Sequence, residues 1–149
     1  MFDRNVFVDV FNGGDQPLPR YAHQGDAGAD LHSNEQVKIY PGETRPVKTG
    51  LFFAIPLGYE IQVRPRSGMS AKTKIRVANS PGTIDHQYRG ELMVLCENIG
   101  DEPYEIAKGD RIAQMVLAPV WNAMWSQVSS VDQLGETDRG TGGFGSTGV

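Results

Sequence analysis

Residues 56–64 read Pro-Leu-Gly-Tyr-Glu-Ile-Gln-Val-Arg. Pro56 and Gly58 bracket a turn, and strict alternation follows it. Tyr59, Ile61 and Val63 fall on one side of an extended chain, with Glu60, Gln62 and Arg64 on the other. This is a half-buried strand entered through a tight turn, and the same unit recurs in both directions. Upstream, Thr44–Ile55 reads as one or two strands, Gln36–Tyr40 as a strand closed by Pro41-Gly42, and Ala29–Ser33 as another. Val6, Val8 and Val10 alternate with Phe7, Asp9 and Phe11 ahead of the turn Asn12-Gly13-Gly14-Asp15. Downstream, Ser67–Lys74 is the one short helix the pattern predicts. Ile75–Ala78 follows, then a turn at Pro81-Gly82. Thr83–Asp85 and Arg89–Glu97 flank a tight connection, so residues 79–91 read as a hairpin. Tyr104–Ala107 and Asp110–Val120 are strands separated by Lys108-Gly109. Within the second, Ile112–Ala118 is apolar on both faces apart from Gln114, the signature of a strand covered on both sides. Met124–Val128 completes the series. Short strands and frequent turns, with no long amphipathic helix, predict an all-β sandwich, jelly roll or barrel. One domain over residues 1–138 and a separate tail over 139–149 are expected.

The composition agrees. Eighteen glycines and nine prolines among 149 residues exceed the usual share of roughly 12% for the pair and disfavour helix interiors. A net charge of −4 argues against a non-specific nucleic-acid binder, which would be basic. It leaves room for a small anionic ligand held by a few arginines. A single cysteine, Cys96, forbids an intrachain disulfide framework and favours a reducing compartment. No apolar run reaches the length of a membrane span, and Met-Phe-Asp-Arg-Asn at the start has no signal-peptide character.

Four segments carry residues able to do chemistry. In Pro65-Arg66-Ser67-Gly68 an arginine, a hydroxyl and a glycine open the short helix. The set suits an anion, or else Ser67 simply caps the helix. In Asn79–Glu91, backbone edges together with the Asn79 amide could read a flat base, since an amide both donates and accepts. Asp85 could serve as a general base for water and Tyr88 could pack on a sugar; otherwise the two are a turn aspartate and a core tyrosine. Asp110 and Arg111, an acid and a base before a buried strand, read as a structural ion pair at its entrance, and Gln114 needs a partner, protein or ligand, if it is buried. The tail 139–149 holds five glycines and has almost nothing to bury. It is a mobile terminus, or a lid in which Arg139 meets phosphate and Phe144 stacks on a base. Histidine and cysteine spacing fits no zinc site, and the P-loop ending Gly-Lys-Ser/Thr is missing.

Five pieces stand in one order: AGADL (27–31), PRSGMSAK (65–72), NSPGTIDHQYRGEL (79–92), GDRIAQM (109–115) and RGTGGFGSTG (139–148). That set resembles the trimeric dUTP pyrophosphatase (dUTPase) family over nearly the whole chain. The resemblance implies a jelly-roll-like β subunit, a homotrimer with shared sites, and Mg²⁺-dependent hydrolysis of dUTP to dUMP and pyrophosphate inside the cytoplasm or a host cell. Such a reaction keeps dUTP out of the nucleotide pool and supplies dUMP for dTMP synthesis. It implies that Asp85 activates the water that attacks the α-phosphorus. Tyr88 packs on the deoxyribose, and Asn79, Gly82, Thr83, Ile84 and Met93 form the uracil pocket. Arg66, Ser67, Gly68 and Gln114 hold phosphates, and Asp30 holds a metal-bound water. Arg139, Phe144 and Gly145 belong to a C-terminal arm that closes over the nucleotide. The chain departs from the family pattern at Ala29, Met69-Ser70 and His86-Gln87. A dCTP deaminase-like enzyme shares the fold and the Arg-Ser opening, but Asp85-x-x-Tyr88 and the glycine tail argue against it. A dUTP-binding regulatory protein is the remaining alternative. No nucleic acid or membrane partner is expected.

Overall fold

The computed structural model describes residues 5–143. Ten strands and one short helix follow one another: β1 (Asp9–Asn12), β2 (Ala29–His32), β3 (Val37–Ile39), β4 (Thr44–Ala54), β5 (Tyr59–Arg64), α1 (Ser67–Lys72), β6 (Ile75–Val77), β7 (Gly82–Ile84), β8 (Glu91–Asn98), β9 (Tyr104–Ile106) and β10 (Arg111–Pro119). They form a sheet β1-β4-β8-β6, a second sheet β2-β10-β5-β7, and a β3-β9 ribbon. Every pairing is antiparallel. This is the jelly-roll-like all-β arrangement expected of the sequence.

The alternation in β5 sets the core. Ile61 and Val63 are buried, and they face Leu31, Ile112 and Ala113 of their own sheet's neighbours together with Leu92 and Val94 of the other sheet in one cluster. In β4 the chain bends at Gly50, whose φ of +74° lies in the left-handed region that glycine alone enters freely. The β4–β8 register shifts there, between Lys48 and Phe52, which is the mark of a bulge. Three bonds hold the bend. Gly13 N–H donates to the Gly50 carbonyl at 2.8 Å, Gly50 N–H donates to Glu91 Oε1 at 2.8 Å, and the Thr49 hydroxyl donates to the Leu92 carbonyl.

Four expectations are corrected. Residues 79–91 are not a hairpin: β7 pairs with β5 while β8 pairs with β4 and β6, so the turn between them crosses from one sheet to the other. Gly82 is buried with Val63 beside its Cα, and Ile84 packs on the common core, which draws β7 to β5 rather than to β8. Strand β10 is covered on one side only. Met115 and Leu117 pack on the core, whereas Val116 and Ala118 lie opposite Gln62 and Glu60 on the outer face. Met124–Val128 forms no strand, because the described chain offers it no neighbour; only a short 3-10 turn, Val131–Leu134, follows it. The first strand is shorter than its alternation, with Phe7 left 95% exposed.

Candidate active site

The connection leaving β5 is short. Pro65 and Arg66 lead directly into α1, with Arg66 in extended backbone at the helix start and no side chain capping the first turn. Ser67 is therefore not the capping residue that one reading of the sequence allowed. The Arg66 guanidinium turns instead to β2, where Nε donates to Asp30 Oδ1 at 2.7 Å. Arg111 at the head of β10 donates to the other oxygen of Asp30 at 3.4 Å. Arg111 thus pairs across the sheet and not with Asp110, whose carboxylate accepts the Ala107 N–H at 2.9 Å. Sequence reading tied Arg111 to its neighbour because adjacent opposite charges suggest a local pair. Asp110, however, precedes β10, and its carboxylate is taken up by the backbone of its own turn.

Gln114 stands on the outer face of β10, directly opposite Asp30 and Arg64 in register. Its Nε2 donates to the Pro65 carbonyl at 2.9 Å, so its amide braces the entrance to the Arg66-Ser67-Gly68 segment. Gly28 makes this possible, since a Cβ there would overlap Gln114 Oε1. Asp30, Arg66, Ser67, Gly68 and Gln114 line one cavity of about 420 Å³, joined by Arg20 and Arg111. Five residues chosen from three separate sequence segments therefore meet. Arg20 was not foreseen: it sits in a proline-rich loop with no periodicity or motif to single it out.

The cavity is cationic on balance. Arg20, Arg66 and Arg111 line it with two carboxylates, Asp26 and Asp30; Asp30 pairs with Arg66 and Arg111, and Asp26 accepts the His23 N–H. The adjoining His32 is held below the usual histidine range by burial, against the charge of Asp30, with Arg111, Arg66 and Arg20 lowering it further. It stays neutral and leaves the charge balance to the guanidiniums. Oxyanions such as phosphates match guanidinium forks in both charge and geometry.

Residues assigned to a base and sugar lie elsewhere. Asp85, Tyr88 and Asn79 are exposed on the turns around β7, and Met93 is 39% exposed on β8. None of them lines the arginine cavity. The Asn79 amide lies against Gly82, where a Cβ would stand 3.3 Å from Nδ2. Tyr88 folds back along the turn between β7 and β8. Its N–H donates to the Asp85 carbonyl at 3.0 Å and its hydroxyl to the Glu91 carbonyl at 2.9 Å. It is not a core tyrosine. Arg139 is exposed, with Nε donating to the Gly142 carbonyl at 2.8 Å. Phe144 and Gly145 lie outside the described residues.

The donor set accepts Mg²⁺ only at second hand. Among the described residues no group of three His, Cys, Asp or Glu side chains could hold a metal. Asp30 keeps about a third of its side chain exposed beside its two arginines, and a carboxylate has about four acceptor positions. It can therefore accept a bond from a metal-bound water while phosphates supply the inner oxygens, the arrangement Mg²⁺ prefers.

The chain is similar to known proteins along nearly its whole length. The dUTPase family model matches residues 15–148. A deoxyuridine 5'-triphosphate nucleotidohydrolase of Picosynechococcus sp. is 52% identical over 132 residues, covering 89% of this chain and 91% of the relative. Its counterpart from Zymomonas mobilis is 51% identical over 138 residues, covering 93% and 92%. Among solved structures, the dUTPase of Staphylococcus bacteriophage 80alpha with dUPNHPP superposes with a TM-score of 0.87 at 30% identity, over 97% of this chain and all of that one. A dUTPase from phage phi11 of S. aureus, described with a structural Mg(II) ion, gives 0.78 at 27% identity over 85% and 99%.

Proposed function

The chain belongs to the dUTPase family, and from that membership we propose that it hydrolyses dUTP to dUMP and pyrophosphate, with active sites completed between the subunits of a homotrimer. The observation that carries the proposal is the meeting of Asp30, Arg66, Ser67, Gly68 and Gln114 around one cationic cavity. That is a place for a polyphosphate. Asp85, Tyr88, Asn79 and Met93 form a second half-site away from it, which supports a site assembled from more than one copy.

In this reading the Asn79 amide and the backbone of Gly82, Thr83 and Ile84 bind the uracil edge, beside Met93. Cytosine would present its donor and acceptor reversed. Tyr88 lies on the deoxyribose and leaves no room for a 2′-hydroxyl. Asp85 takes a proton from a water whose oxygen bonds to the α-phosphorus, and the bond from that phosphorus to the oxygen bridging it to the β-phosphorus breaks, so that oxygen leaves as a terminal oxygen of pyrophosphate. Arg66, the Ser67 hydroxyl, the Gly68 N–H and Gln114 hold the leaving phosphates, and their fixed charge is worth most where it develops. Arg139, Phe144 and Gly145 of the C-terminal arm close on the γ-phosphate and base and exclude bulk water. Bound Mg²⁺ would neutralise phosphate charge, with Asp30 holding one of its waters. Removal of dUTP and supply of dUMP for dTMP synthesis are the corresponding cellular role.

The test is a pyrophosphate-release assay with dUTP, UTP, dCTP and dTTP, with and without Mg²⁺. Turnover of dUTP alone is expected. Ammonia release from dCTP would instead favour a deaminase of the same fold. Asp85→Asn should lose roughly 10²–10⁴-fold in turnover yet still bind a non-hydrolysable dUTP analogue. Retained turnover in that variant would remove Asp85 from its role.

A further inference from the structure

The Tyr88 ring has an unusual support. It lies across Gly90, two residues further along the chain, where a Cβ would stand 2.6 Å from Cζ and 3.0 Å from Cε2 and would overlap the hydroxyl oxygen. The bare Cα of Gly90 is thus part of the surface on which the ring rests. The support is anchored at both ends. Beyond Gly90, Glu91 accepts the Tyr88 hydroxyl at its carbonyl, 2.9 Å away, while its side chain accepts the Gly50 N–H at the β4 bend. Before Gly90, the Arg89 guanidinium folds back and donates from Nη1 to the carbonyls of His86, at 2.6 Å, and Tyr88, at 2.9 Å. Arg89 pins the turn that also carries Asp85.

We infer that Gly90 is a positioning residue for selection of the sugar: its missing side chain seats the Tyr88 ring at the height that admits deoxyribose and rejects ribose. This inference rests on the sugar-facing role given to Tyr88 above. Two features separate such a role from a structural one. The backbone of Gly90 lies outside the left-handed region, so alanine meets no conformational strain there. The atoms a new Cβ would strike are the far end of a side chain 42% exposed, so the ring can swing outward by about 1 Å without disturbing the core. A displacement on that scale at a substrate-positioning group costs roughly 10–100-fold in rate while leaving the fold intact. Gly90→Ala is therefore cheap for folding and expensive for selectivity.

The experiment compares Gly90→Ala, Tyr88→Ala and the double variant. It reads the ratio of kcat/KM for dUTP to that for UTP, the melting temperature, and the NMR signals of the Tyr88 ring, identified by their loss in Tyr88→Ala. Gly90→Ala is expected to shift the ring signals, keep its melting temperature within about 2 °C, and lower the ratio by roughly 10–100-fold. In the Tyr88→Ala background the same substitution should change the ratio no further, because no ring remains to be pushed. An unchanged ratio in Gly90→Ala, or an equal further fall in the double variant, would overturn the inference. If Tyr88→Ala keeps the original ratio, the role given to Tyr88 is what fails, and the ring signals in Gly90→Ala alone decide whether Gly90 seats the ring.

Discussion

Cys96 lies within β8 with no exposure, and burial pushes its thiol up from the ordinary 9.0 to about 12. It falls inside the strand expected over Arg89–Glu97, where a buried free cysteine packs as a small hydrophobe. Its titration has a consequence for stability. Between pH 9 and 12 the unfolded chain has lost this proton while the folded chain keeps it. Stability from the neutral thiol is complete below pH 9 and falls as pH rises toward 12, by at most about 1.4 kcal/mol per pH unit. Urea unfolding at pH 8.5 and 10.5 should show this decline, and Cys96→Ala should show a shallower one. Identical slopes would mean that the thiol ionises freely in the fold. At this scale the sequence was informative about residue type and poor about partners. Gln114 had to have one, because a buried amide without a bond is costly, but that it would be the Pro65 carbonyl depended on a strand register that no local pattern encodes. The Arg66–Asp30 pair spans 36 positions, and the five-piece resemblance marked its two members separately without joining them.

Strands were legible because alternation and turns are local properties; their partners were not, because pairing is decided by burial across the whole fold. The segment 79–91 shows the difference. It contains two strands and a tight turn, as its residues say, yet the strands belong to opposite sheets. The turn bearing Asp85 and Tyr88 is therefore a bridge between layers. One continuous β4 was read as one or two strands, and the ambiguity has a physical source in the Gly50 bend. A Cβ at Gly50 would come within 2.9 Å of the Gly14 nitrogen and 3.0 Å of its Cα, both backbone, and φ there is +74°. Gly50→Ala should accordingly destabilise the protein by about 1–3 kcal/mol from strain alone, with added cost from the clash. Because Glu91 is bonded to Gly50 N–H and also accepts Tyr88, the same variant should disturb the dUTP:UTP ratio. Gly42→Ala, at a φ of +74° in open space, should lose stability without that change. Chemical unfolding and the selectivity assay on the two variants separate strain in general from strain at this bend.

Two tryptophans, Trp121 and Trp125, are each 92% exposed, and Met124 between them 98%; they are the chain's whole complement of tryptophan. They follow β10, whose outer face carries Val116 and Ala118 beside the hydrogen-bonded side chains Glu60, Gln62 and Arg64. The sequence read β10 as covered on both sides and 124–128 as a strand. Within one chain neither holds, yet both readings express the same fact, that these residues are too apolar to suit water. A single sequence cannot say whether the cover is its own chain or another copy. Assembly into the proposed homotrimer would supply it, and would bring the Asp85–Tyr88 turn of one copy toward the arginine cavity of a second. Sedimentation should then give three chains per particle, and both indoles should emit at the short wavelengths of buried tryptophan. Val116→Asp should dissociate the particle, because a carboxylate at a closed interface is left unpaired. Emission should shift to the red, and dUTP turnover should fall with the trimer population rather than with the folded fraction. A monomeric native protein with solvated indoles and full turnover would place the whole site within one chain and defeat the shared-site reading.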